Sequence, residues 1–422
     1  MNRSIVILLL SAITILNVSC GQCNRELAKL FPESFEIRVV NDAFIDRPDA
    51  CVDLEIERLK KTAPQFNPQG FIVLCQSVEI PSQASDLNGD GCADHLIFTD
   101  HFNAGESKTY QIRYNPREHI PAHYPKRSQA KLSVKTGGKF RDNLYIGGKF
   151  QDTDYLRVPD EHAENSTFIR LEGPAWESDR VGYRFYLDRR NATDIIGKKI
   201  PDMVLQNAGQ DGFESYHTMA DWGMDILKVG SSLGIGSLGI WVDGRVEPVS
   251  QTDSVICRIM ASGPIYSEVQ THYFGWRIHH DKLELVSSLS IFAGSRLTMH
   301  QIQISDAALL CTGLAKKPGI AVFHSADSTD GWSYFATWGK QSLADDSLGL
   351  SIFFKNENFA GFPEDEYNHV VLLKPDQRQL TYHFAAAWEK EPDGIHTGTE
   401  FHAYLERTIK ALNQPLLIIY PG

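Results

Sequence analysis

The sequence predicts an all-β protein: a large antiparallel β-sandwich preceded by a small N-terminal β-sandwich module. Three observations carry that expectation. Apolar and polar residues alternate with period two through run after run of strand length, turn residues separate the runs, and helical periodicity is confined to one segment near the C-terminus. So many strands without alternating helices argue for sheets packed face to face. At 422 residues the chain exceeds the roughly 250–300 at which a single core stops growing, so a large domain with an appended module is expected.

The elements follow in order. Met1-Asn2-Arg3 is a short positive region, and residues 5–16 form an apolar run broken by Ser11 and Thr14. The run is too short to span a bilayer, so residues 1–19 read as a secretory signal peptide. Ser19 before Cys20 fits a lipobox, which would place a lipid anchor on Cys20 and the protein in the periplasm or at the outer membrane. Asn17 departs from that pattern, and a plain signal cleaved nearby is the other reading. Residues 35–40, 70–75, 95–98 and 109–113 are strand-like, and 114–128 is rich in Pro, His and basic residues, as a linker is. Residues 20–135 therefore form the N-terminal module with its linker, and 136–422 the large β domain. Within the latter, 180–188 alternates, 265–274 is one long strand, and 282–292 with 296–304 form a hairpin about Ala293-Gly294. Strands continue at 332–338, 350–354, 369–373 and 380–388. At 400–412, Phe401, Tyr404, Leu405 and Ile409 share a helical face.

Composition narrows the function. With 41 Lys+Arg against 53 Asp+Glu, the formal net charge is −12, which argues against a nucleic-acid partner, and a chain with 10% aromatic residues is not a disordered one. Apart from Cys20, six cysteines (Cys23, Cys51, Cys75, Cys92, Cys257 and Cys311) could form up to three bridges of undetermined pairing in an exported protein. None has metal-finger or nucleophile spacing, so they read as structural.

Asp86, Asn88, Asp90 and Asp94 place oxygens at alternate positions around Gly89 and Gly91, as a hard cation such as calcium requires. Ile97 stands where a full EF-hand has Glu, so a nine-residue loop closed by Asp94 is one reading and an Asx-rich turn without an ion the other. Either role is structural. With period two, Val181, Tyr183, Phe185 and Leu187 share one face and Arg184, Tyr186, Asp188 and Arg190 the other, if the strand runs on. A solvated outer face would explain those charges; so would the floor of a site for a carboxylated sugar, since Arg pairs with carboxylate bidentately. Titratable and aromatic residues gather again at 215–230, with His217, Asp221, Trp222 and Lys228, beside a glycine-rich run at 230–239. Gly234-x-Gly236 lacks a βαβ context, so no organic cofactor is expected, and close backbone packing explains the run better. His324, His383, Tyr334 and Trp338 recur on strands, where core packing or a saccharide-stacking groove both fit.

The stretch from Val181 to Lys198, with Tyr216-His217 and residues 221–234, resembles a family of secreted bacterial proteins known as the domain of unknown function 4861 family; Pro81-Ser-Gln83 leading into Asp86 matches its N-terminal part. The resemblance covers most of the mature chain. It implies work on uronic-acid oligosaccharides beside polysaccharide-degrading enzymes, and by fold analogy a galactose-mutarotase-like supersandwich. The leading expectation is a carbon–oxygen lyase, either cleaving the glycosidic bond or acting as a dehydratase. Elimination needs the substrate carboxylate neutralised, a base and an acid. Arg184, with Arg190 or Lys228, would neutralise; His217 or Tyr186 would be the base and His324 or His383 the acid; Asp188 and Asp221 would orient them, with Trp222, Tyr334 and Trp338 against the sugar. A glycoside hydrolase using Glu177, Asp188, Asp221 or Asp225, and a non-catalytic glycan-binding lipoprotein, are the alternatives.

Overall fold

The computed structural model describes residues 26–210, 213–278, 280–306, 308–325 and 330–420; the expected signal peptide, Cys20 and Cys23 lie outside the described residues. About half of the protein is strand, in antiparallel sheets, as the sequence predicts.

The N-terminal unit is a two-layer sandwich. One sheet runs in spatial order Leu417–Ile419, Glu33–Val40, Ser107–Tyr114, Phe71–Cys75 and Val78–Ile80. The other consists of Arg47–Glu55, His95–Phe102 and Ser82–Ser85. Alternation supplies the shared core: Ile37 and Val39 from one layer meet Val52, Leu54 and Phe98 from the other, and helix α1 (Ile56–Thr62) adds Ile56 and Leu59. The last strand pairs with the first, Val39 opposite Ile418, so both ends of the described chain close one sheet.

The large unit is built on a nine-stranded sheet whose centre is Tyr266–Ile278, Asp281–Phe292, Leu297–Ile304 and Gln379–Trp388, with Ala321–His324 at one edge. The hairpin expected about Ala293-Gly294 is present, pairing Ile291 with Thr298. Two five-stranded sheets cover one face. The first runs Gly223–Asp225, Thr193–Lys198, Val181–Phe185, Ala175–Ser178, Ser128–Lys131. The second is centred on Ile235–Val242 and Leu310–Ala315, and the two meet at a parallel bridge between Thr193 and Gly234. Val181, Tyr183, Phe185 and Leu187 all enter the core between the layers. Buried polar tips there find partners: Trp176 Nε1 donates to Thr298 Oγ1 at 2.8 Å and the Tyr382 hydroxyl to the Gly236 carbonyl at 2.8 Å.

The opposite face of the nine-stranded sheet is covered by helix α2 (Gly398–Asn413), started by a capping box between Thr397 and Glu400. Phe401 and Leu405 pack on Tyr334, Ala336, Phe353 and Ala385. The glycine run does serve close packing: a Cβ on Gly234 would stand 1.9 Å from the Thr193 carbonyl oxygen, and one on Gly236 2.2 Å from the Phe384 ring. Gln83 joins the two units, accepting from the amides of Ile265 and Tyr266, both at 3.0 Å.

Three expectations change. The 180–188 strand stops at Phe185 and residues 188–191 turn, with Asn191 left-handed. The 114–128 linker ends in a strand at Ser128, and a ribbon of Ser133–Arg141 and Leu144–Asp152 follows, whose glycines and cations hide its period. The five described cysteines, Cys51, Cys75, Cys92, Cys257 and Cys311, are free thiols rather than bridged.

Candidate active site

The Val181–Phe185 and Thr193–Lys198 strands place Arg184 directly opposite Asp194, and Asp225 stands opposite Ile196 in the next strand, diagonal to Asp194. The outer face of this sheet is not open to water. Residues 199–210 and 213–217 fold over it, so that Leu171, Ile196, Val204, Leu205 and Tyr216 form a second core and Arg184 is left 1% exposed. Both terminal nitrogens of its guanidinium are engaged, while its buried Nε has no hydrogen-bond partner. One nitrogen reaches Asp194 and Asp225, each at 2.7 Å, and the Tyr186 hydroxyl at 2.9 Å; the other reaches the Tyr216 hydroxyl at 2.9 Å and stands 3.5 Å from Glu172.

Glu172 is held by unusual backbone. Leu171 and Glu172 are both left-handed, at φ 60° and 61°, which costs energy for residues with a Cβ. Gly173 must be glycine, since a Cβ there would lie 1.8 Å from the Phe185 carbonyl oxygen. This aims Glu172 between Arg184 and Arg190, 2.8 Å from the latter. Arg190 also pairs with Asp188 at 2.5 Å and stacks on the Tyr186 ring, 3.9 Å from its centroid.

Charge in this cluster is shared rather than simply paired. Burial, then the neighbouring Asp194 carboxylate, raise the Asp225 carboxyl far above the carboxylate range despite Arg184. Burial and Asp194 likewise push the Tyr186 phenol up, so it stays protonated and donates to Asp194 at 2.5 Å. Burial opposes the Arg184 charge, but Asp225 and Asp194 outweigh it. Beside this cluster stands His217, its side chain 26% exposed, Nε2 3.5 Å from the Asp225 carboxyl and its ring tilted 33° against that of Tyr216.

The structure thus gathers Arg184, Tyr186, Asp188, Arg190 and His217, but alters two roles. Arg184 is buried, its terminal nitrogens on Asp194 and Asp225, so it faces no substrate carboxylate, and Tyr186 is a buried proton donor to Asp194 rather than a base. The remaining predicted residues lie elsewhere. Lys228 and Asp221 are exposed and Trp222 packs on the second core. Tyr334, Trp338 and His383 lie on the far face of the nine-stranded sheet: Trp338 stacks on Phe401, Tyr334 donates to Glu406 at 3.2 Å, and His383 sits on Trp332. His324 rests on Phe362 in an edge strand. Core packing explains these aromatics. Asp194 and Glu172 were not anticipated. A hairpin turning at 188–191 puts residue 194 opposite 184, so Asp194 had a readable signal; Glu172 had none.

In the 86–94 loop, side-chain oxygens accept from the loop's own amides: Asp86 from Gly89 and Gly91 at 2.7 Å each, Asp90 from Cys92 at 2.8 Å, Asp94 from Leu87 at 2.8 Å. Among the described residues no group of three or more His, Cys, Asp or Glu gathers as metal ligands do.

The family described as Domain of unknown function (DUF4861) matches residues 39–418. The chain belongs to this family. The DUF4861 match begins and ends at the paired strands that close the first sheet, so it spans both units. A relative is the uncharacterized protein P7 of Formosa agariphila, 22% identical over 398 residues, covering 88% of this chain and 90% of that protein. Among solved structures, an α-mannosidase from Enterococcus faecalis V583 and a glycosyl hydrolase family 38 protein from Enterococcus faecalis each match at 8% identity over 95% of the chain, with TM-scores of 0.47 and 0.46. The chain spans about half the length of each, 48% and 50%.

Proposed function

We propose that this DUF4861 protein is a carbohydrate-active carbon–oxygen lyase that eliminates across uronic-acid-containing oligosaccharides, with His217 as the base. The observation that carries the reading is a partly exposed imidazole, His217, backed by the buried pair of acids Asp225 and Asp194. His217 takes the proton next to the substrate carboxylate, and the Asp225–Asp194 pair beyond Nε2 offsets the charge gained. The 3.5 Å separation is longer than a good hydrogen bond, and such contacts commonly tighten when substrate binds. His217 then returns the proton to the leaving oxygen. Arg184 acts through Asp225 and Asp194 as a positioning residue, and Arg190 is held by Asp188 and Glu172, so the substrate carboxylate falls to the exposed Lys228.

An acidic substrate is supported by the ribbon of Ser133–Arg141 and Leu144–Asp152, which carries exposed Lys139, Arg141 and Lys149 on a chain of net charge −12. Its Tyr145 amide donates to the Ser166 carbonyl at 2.7 Å, in the segment whose Glu164 pairs with Arg190 at 3.6 Å. The hydrolase alternative is less well served. It needs two carboxyl groups facing the sugar, whereas Glu177 is buried on Lys198 at 2.6 Å, and Asp188 and Asp225 are buried and paired. A glycan-binding module needs an open aromatic face, and the one carrying Tyr334 and Trp338 lies under α2.

Incubation with a panel of uronate oligosaccharides, products read by mass, tests the reaction: an unsaturated product, from chain cleavage or from loss of one water, is expected. His217→Asn is expected to lower turnover by about 100-fold or more while leaving the thermal midpoint near wild type. Full turnover in that variant would remove His217 from the mechanism. Calcium in the 86–94 loop is proposed alongside as a structural ion. Added calcium should raise the melting temperature and a chelator reverse it; identical melts in both would leave the loop as an Asx turn.

A further inference from the structure

Away from the Arg184 cluster, a cavity of about 450 Å³ lies between the two units. Its walls come from residues 45–51, the hairpin turn at 292–297, α2 and the tail at 415–416. Three arginines line it, Arg47, Arg296 and Arg407, beside apolar Phe292, Leu297 and Met299. Arg296 is paired with Glu391 at 2.6 Å and Arg407 is exposed. Arg47 differs from both. It is 8% exposed, one terminal nitrogen donates to the Gln414 carbonyl, its Nε is buried without a hydrogen-bond partner, and among the described residues it makes no ion pair. Burial lowers its affinity for the proton, with Asp42 opposing only in part.

A guanidinium withdrawn from water without a counter-charge is costly, and buried polar groups lacking a protein partner are generally met by a ligand, an ion or water. The fork of an arginine suits a planar oxyanion, and the apolar wall suits a ligand whose remaining body is not charged. His383 in the same wall is neutral, burial pushing its imidazole down to about 4, so it adds hydrogen bonding without competing charge.

We infer that this cavity binds a small organic carboxylate, its oxygens on Arg47 with Arg407 at the mouth and its body against Phe292, Leu297 and Met299. The carboxylate could be borne by a uronic sugar or by an aliphatic acid; the shared chemistry is the one the cavity selects. The site is separate from His217 and stands whether or not the elimination does.

Thermal melts and calorimetric titrations of the full protein with glucuronate, with octanoate and with sodium chloride alone test it. One of the two carboxylates is expected to bind and raise the melting temperature where chloride at equal ionic strength does not; which one does so identifies the source. Arg47→Met is expected to melt higher than wild type without ligand and to lose the ligand shift. Arg407→Ala, at an exposed position, is expected to fold normally and bind about tenfold more weakly, the loss of one charge-assisted contact. His217→Asn should keep the full shift, which separates this site from the catalytic one. No shift with either carboxylate overturns the proposal, as does an undiminished shift in Arg407→Ala, or in Arg47→Met with a lowered melting temperature.

Discussion

Arg184→Met is expected to destabilise the protein by about 3–5 kcal/mol, the usual consequence of stripping a buried carboxylate of its cation. Against a total stability of roughly 5–15 kcal/mol, much of the protein would be unfolded at physiological temperature. The cause is what remains behind: Asp194, Asp225 and Glu172 are buried together and all three lose the cation they face. Adding Asp194→Asn and Asp225→Asn to the same chain removes most of that charge and should recover the greater part of the loss, because an uncharged cluster of similar shape avoids the desolvation cost. The two outcomes are read by denaturant midpoints. The triple variant should nonetheless give no unsaturated product, since His217 would no longer face an acid able to balance its charge. A single variant as stable as wild type would show that the carboxyl groups do not depend on Arg184.

That network also marks how far the sequence could be read. The inner face of the 181–187 segment was legible because period-two alternation is local: Val181, Tyr183, Phe185 and Leu187 need only the pleat to reach the core. The outer face was not. Whether Arg184 meets water or protein depends on Val204, Leu205, Ala208 and Tyr216 folding back across the sheet, a contact between segments with no shared pattern. The same holds for Trp338 and Tyr334, whose alternation was correct but whose face is buried by a helix some sixty residues later. His217 and Asp225 were visible as a dense cluster of titratable side chains. Their relation to Arg184 came only with the register that sets Asp194 opposite it. Glu172 sits on two left-handed residues, a conformation that Leu and Glu do not advertise.

Buried histidines give the second large expectation, a steep loss of stability on the acid side. His300 is 3% exposed inside the sandwich, Nε2 2.7 Å from Ser287 Oγ, and burial pushes its imidazole down to about 3. In the unfolded chain the same group takes a proton near 6.5. Between those values unfolding binds a proton that the fold refuses, so stability is full above about pH 6.5 and falls as pH drops toward 3, by roughly 4 kcal/mol for this residue. His383 and His162, both pushed down to about 4 by burial, act in the same direction. Glu391 opposes them over part of the range: burial raises it from 4.5 to about 7, so its contribution is present below 4.5 and lost as pH rises through 7. Asp225 and Glu268, also raised, act with Glu391, while His369 and the lowered carboxyls of Asp152, Asp346 and Asp365 act with the three imidazoles, so the balance is a net fall toward acid. His300→Gln keeps a polar group near Ser287 and removes the titration. Melting temperatures recorded from pH 4 to 7 should therefore decline less steeply in that variant than in wild type, and parallel curves would mean that His300 does not set the acid limit.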